Sequence, residues 1–206
     1  MEQDRIKAIL DYWFADFDED VVINSESKCV QRWFSKDKKV DAEIKTNFSE
    51  DVKKALEGQY DSWAETAEGR LALIILLDQF TRSIYRDSEK AFSGDLKALA
   101  LAGRSVKDGF DGRVDFVARQ FFYMPLMHSE NVQAQEMSAK AFGFLVEEAI
   151  TNEDVNVEYL KYVNDFAKRH QAIILDFGRF PHRNKILDRR STSDETAFLQ
   201  TPNSSF

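Results

Sequence analysis

Asp78, Arg82 and Arg86 stand four residues apart in LLDQFTRSIYR. On a helix that spacing stacks the three side chains on one face. Acid and base so close together could hold a charged ligand or neutralise one another. The setting makes them informative, because the preceding LALIILL is apolar on nearly every side and belongs in a core. Charges at the end of a buried helix cost several kcal/mol each unless something pairs them.

A second group lies in FGRFPHRN, residues 177–184. Gly178 permits the positive φ at which a helix stops, and Pro181 fixes the turn. Arg179, His182, Arg183 and Asn184 then share a short rigid loop, anchored by Phe177 and Phe180. Convergent donors on such a loop suit an anion, and arginine forks match carboxylate or phosphate. The same donors could instead cap helix ends and pair with Asp78 and Glu130. Both readings stand at this level.

The three histidines take unusual places. His128 follows Pro125 in MPLMHSE, His170 lies on the apolar stripe of a long helix, and His182 is in the loop just described. A lone stripe histidine is ordinarily a satisfied core residue, but their joint placement points to a shared polar site. Imidazole titrates near neutrality, so His128 and His182 are the candidates for proton transfer. Glu130 follows His128 by two and sits near a helix start, where the dipole favours an anion or a local cap. HxH and HExxH spacings are absent and Cys29 is the only cysteine, so no metal and no cofactor is implied. GxSxG, GxxxxGK[ST], GxGxxG and CxxC are also missing, which removes support for serine-hydrolase, P-loop and dinucleotide chemistry.

The elements that position these groups are helical. Apolar residues recur at spacings of three and four over residues 4–17, 38–57, 71–86, 113–124, 132–150 and 155–177. Shorter helices are expected at 31–35 and 193–199, and another, capped by Asp95, is expected to end at Gly109. Thr66 and Asp61 are candidate N-caps, and Gly58 a helix terminator. Pro125 is expected to disturb its helix, and the tail TPNSSF to fray. Eight glycines and three prolines in 206 residues argue against a sandwich or barrel. The reading is all-α: antiparallel helix hairpins stacked in a single domain, residues 1–206, without a linker.

The net charge of −8 disfavours nonspecific nucleic-acid binding, which needs a basic face. No apolar run is long enough to span a bilayer, and the N-terminus lacks the pattern of a signal peptide. With a single cysteine, this points to a cytoplasmic protein.

LLDQFTRSIYR, AFSGDLKALALA, FFYMPLMHSE, RHQAIILDFGRFPHRN and RRSTSDETAFL together resemble a bacterial family known only as a domain of unknown function. The resemblance runs from Trp33 through Leu199. It implies a tetratricopeptide-like α-α superhelix and no established activity. The chain departs from the family pattern at Thr81, Ser83 and Asp188, where Pro, Asn and Gly are expected. The charged and histidine positions match. Two functions follow. One is a pocket that binds, and could turn over, a small anionic ligand, formed by the charged and histidine residues named above. The other is a helical scaffold for a peptide or partner protein, with those residues acting only as an internal network.

Overall fold

A computed structural model describes residues 2–202, 204 and 205. The helices, in chain order, are α1 (Glu2–Trp13), α2 (Lys28–Phe34), α3 (Lys38–Leu56), α4 (Ala67–Ile74), α5 (Thr81–Ile84), α6 (Asp95–Asp108), α7 (Phe116–Met127), α8 (Val132–Thr151), α9 (Val157–Phe177) and α10 (Ser193–Phe198). Among the described residues there is no strand. The all-α reading is therefore borne out.

Local chemistry sets most of the boundaries. The side chains of Asp37, Thr66, Asp115 and Asn131 accept backbone N–H groups at the starts of α3, α4, α7 and α8. Thr192 and Glu195 close a capping box on α10. Gly58, Gly109 and Gly178 follow α3, α6 and α9 with φ of 83°, 65° and 70°. The first helix stops earlier than its stripe suggests, because the chain turns at Asp16, whose φ is 64°. Pro125 does not end α7. It removes one amide hydrogen bond, but only two helical residues follow, and His128 N–H still reaches Met124 O at 2.9 Å. In the tail Ser204 is buried and its hydroxyl donates to Leu199 O at 3.2 Å. Asn203 and Phe206 lie outside the described residues.

One apolar cluster joins Ile6 to Ala167. Trp13 meets Phe80 and Phe121 edge-on at 5.4 and 5.5 Å, and Trp33 Nε1 donates to Trp13 O at 2.7 Å. Each fully buried aromatic or aliphatic side chain contributes about 1.5 to 3 kcal/mol relative to an exposed one. The helix α4 lies at the centre, completely buried from Leu71 onward, and packs on α1, α6 and α7. In the C-terminal half, α6 to α9 pack in chain order, each against the next. The N-terminal half is less regular, with α3 crossing to α5 and to the turn before it. A smaller cluster of Ile173, Ile174 and Phe180, joined by Phe177 and Phe198, seats the C-terminal segment on α9.

Candidate functional site

The central helix widens just where its charges begin. Ile75–Phe80 form a π-helical turn between α4 and α5, and Asp78 lies inside it. Such turns displace a helix by a residue and recur at functional sites. Thr81 Oγ1 donates to Leu77 O at 2.8 Å, a bond that proline at this position could not make. Asp78 is completely buried. Its Oδ1 lies 2.8 Å from His128 Nδ1 and 3.1 Å from Arg82 Nη1, while Gln79 Nε2 donates to Oδ2. This pairing offsets the cost of burying the charge.

His128 ends α7, fifty residues further along. Gln135 Nε2 donates to both Met127 O and Ser129 O at 2.7 Å, which fixes the turn on either side of it. The imidazole is 14% exposed. Its Nδ1 is committed to Asp78, and Nε2 bonds no described residue.

Arg82 also faces Asp95, with Nη1–Oδ1 and Nη2–Oδ2 distances of 3.1 and 3.3 Å. Sequence reasoning read Asp95 as a cap. Gly94 takes the cap position instead, and Asp95 opens α6 with its carboxylate aimed at the arginines. The same carboxylate lies 3.7 Å from Arg183 Nη1. Arg183 is held by faces rather than by partners. Its guanidinium carbon sits 4.7 Å from the Phe92 ring centre and 4.6 Å from that of Phe180. The side chain is only 9% exposed, and its buried Nε has no hydrogen-bond partner among the described residues.

Burial pushes the Asp78 carboxyl up, but Arg82 and His128 outweigh it and hold it below the usual carboxylate range. Burial pulls the His128 imidazole down. The Asp78 charge opposes that, Arg82 and Arg183 reinforce it, and the net shift is downward. Asp95 is raised by burial, against the pull of Arg82. Arg183 is lowered to about 10, by burial and then by Arg82.

The other sequence candidates divide into neighbouring groups. His170 is 4% exposed on α9, as its stripe predicts, 6.1 Å from the His128 ring and 5.5 Å from Phe180. Its Nδ1 donates to Phe166 O at 2.8 Å, and burial pulls its pKa well down. His182 is half-buried, 5.6 Å from Phe180, and lowered to about 4 by burial and by Arg183. Glu130 precedes the cap of α8 and accepts Phe180 N–H at 2.8 Å, while Arg189 holds it with contacts of 2.7 and 2.9 Å. Arg179 pairs with Glu195 at 2.5 and 2.8 Å, and Asn184 Nδ2 donates to Ser191 and Glu195. Arg86 leaves the face expected for it. The helix ends at Ile84, the row of four breaks, and Arg86 reaches back to Asp41 with two contacts of 2.6 Å. The sequence reading named neither Asp95 as a site residue nor Arg189 as the partner of Glu130. The only hint of Asp95 was its place in SGD ahead of a helix, and nothing pointed to Arg189.

Two shallow cavities of about 420 and 390 Å³ lie elsewhere, one beside Arg5, Asp51 and Tyr60, the other beside Asp16, Ile23 and Lys28. In the first, Arg5 and the Tyr60 hydroxyl both bond Asp51. Among the described residues no group of His, Cys, Asp or Glu is arranged to hold a metal, and no helix is long and apolar enough to cross a membrane.

Comparison with known proteins agrees with this architecture. No curated protein matches the chain. A solved structure of a protein of unknown function from Agrobacterium tumefaciens, ATU0120, is 30% identical, with a TM-score of 0.77 over 97% of this chain and 99% of that one. Residues 9–203 match the family described as bacterial protein of unknown function, DUF924. The chain, all-helical and similar along almost its whole length to a solved structure of unknown function, belongs to the DUF924 family of bacterial proteins.

Proposed function

We propose that the protein binds a small anion between Arg183, Arg82 and His128. The observation that carries this reading is Arg183. A guanidinium more than nine-tenths buried ordinarily has its donors filled. Here the nearest carboxylate is 3.7 Å away and shared with Arg82, and Nε has no acceptor among the described residues. The Phe92 and Phe180 rings lie 4.7 and 4.6 Å from its central carbon and offer cation–π contact but no hydrogen-bond acceptor for the N–H groups. A planar fork presented edge-on suits a carboxylate or phosphate oxygen pair. The proposal does not extend to Arg86, Arg179 or Asn184, whose donors are already engaged elsewhere.

Thermal melts with phosphate, sulfate, malate or succinate, against sodium chloride of equal ionic strength, test it. An anion at one hundred times its dissociation constant adds about 2.7 kcal/mol, roughly 5 to 10 °C for a chain of this size. Arg183→Met keeps the apolar stem between the rings and is expected to lose that specific rise. Arg86→Met, altered at the distant Asp41 pair, is expected to keep it. If the parent and Arg183→Met respond equally to every anion, the arginines serve only as an internal network.

A further inference from the structure

The Asp78–His128 contact sets the polarity of the imidazole in this cluster. An ionised carboxylate only accepts hydrogen bonds. Asp78, faced by Arg82 and Gln79, stays ionised, so the proton between it and His128 must reside on Nδ1. Burial holds its pKa below the ordinary 6.5, so at about pH 7.5 the imidazole is neutral and its second nitrogen carries a bare lone pair. That nitrogen, Nε2, bonds no described residue, and the side chain as a whole is 14% exposed. Two of the groups around it are donors: Arg82 on the same carboxylate, and Arg183, whose charge His128 also feels. Asp95 lies 3.1 and 3.7 Å from the two arginines, but its buried Oδ1 accepts no hydrogen bond and is a second acceptor in want of a donor. A simple oxyanion brings acceptors only, so against the bare Nε2 it would set lone pair against lone pair. An oxyanion that also bears an O–H satisfies both halves of the site.

We propose that the site selects an oxyanion carrying its own hydroxyl donor, the arginines taking the charged oxygens and His128 Nε2 taking the hydroxyl. Hydrogen phosphate and hydroxy carboxylates share this chemistry. The inference rests on the anion-binding reading and adds to it the feature that separates one anion from another. A site with a fixed acceptor rejects the analogue that lacks the donor, because its own group is left unpaired.

The test is calorimetric titration of the whole protein at about pH 7.5 with two matched pairs. Phosphate retains a hydroxyl where sulfate has none, and malate has one where succinate has none. At least one hydroxylated member is expected to bind roughly tenfold or more tightly than its partner, a difference of about 1.4 kcal/mol. Whichever pair discriminates identifies the source of the anion. His128→Asn, whose amide can still donate to Asp78, is expected to abolish the difference in affinity within the discriminating pair. The wild-type comparison needs no substitution, so a variant that fails to fold leaves the question answerable. Equal affinity within both pairs overturns this inference while anion binding stands. Equal losses for both members of a pair in His128→Asn also overturn it, because the histidine is then merely structural. If none of the four anions binds, the anion reading fails and this inference falls with it.

Discussion

Gly94 rests directly on the carbonyl of Leu77. A methyl group at position 94 would fall 2.2 Å from that oxygen. Leu77 O is also the acceptor of the Thr81 hydroxyl, so this contact fixes where the start of α6 meets the π-helical turn. Asp95, the next residue, is thereby brought to Arg82.

Gly94→Ala is expected to destabilise the protein by about 1 to 3 kcal/mol, because backbone rather than a flexible side chain blocks the methyl group. Gly103, within α6, has nothing within 4 Å of such a group. Gly103→Ala is expected to gain up to about 1 kcal/mol from helix propensity. Urea unfolding of the two variants checks both signs. A neutral Gly94→Ala sinks the account of how α6 is docked.

His170→Leu distinguishes a core histidine from the partner of a buried acid. The Nδ1 group of His170 donates to a backbone carbonyl, so leucine of similar bulk is expected to cost about 1 kcal/mol or less. A loss of roughly 3 to 5 kcal/mol would mean that an acid had been stranded. Thermal melts at neutral pH read the difference.

Stability is expected to fall as pH drops below about 6.5. His128, His170 and His182 are all shifted below the ordinary histidine value of 6.5, principally by burial, and His182 reaches about 4. The unfolded chain therefore binds more protons in this window. The contribution of the neutral rings is complete above the unfolded value and is lost as pH falls toward the folded ones. Asp78 and Glu130, shifted downward, add their own loss only in the carboxylate range, while Asp95 works in the opposite sense. Calorimetric melts from about pH 8 to 5 should be flat at first and then descend. A constant melting temperature throughout contradicts the burial of these rings.

Asp188 occupies a left-handed conformation, with φ of 49°. This is where the family pattern leads one to expect glycine, and the backbone supplies the reason. An L-residue there costs about 1 to 2 kcal/mol, part of which glycine returns through greater freedom in the unfolded chain. Asp188→Gly is expected to raise stability by about 0.5 kcal/mol. Destabilisation in urea melts would show that the Asp188 side chain has a role of its own.

Much of the framework is written locally. Apolar stripes at spacings of three and four place α3, α8 and α9 to within about two residues, because one buried face suffices to define a helix. Thr66 and Gly58, Gly109 and Gly178 mark ends because capping and positive φ are properties of a residue and its immediate neighbours. The burial of His170 follows from the same periodicity. What tertiary structure alone decided is which charge meets which. Asp78 and His128 are fifty residues apart, and Glu130 and Arg189 fifty-nine. No local spacing encodes such pairings, which arise from how α7, α8 and the C-terminal segment fold over the central helix. The π-helical turn is likewise invisible to a period of 3.6, and the end of α5 at Ile84 sends Arg86 to Asp41 although its spacing from Arg82 is regular. Asp95 shows the division most plainly. Its place at a helix start was legible, but its charge acquires a purpose only when Arg82 and Arg183 arrive from two other parts of the chain.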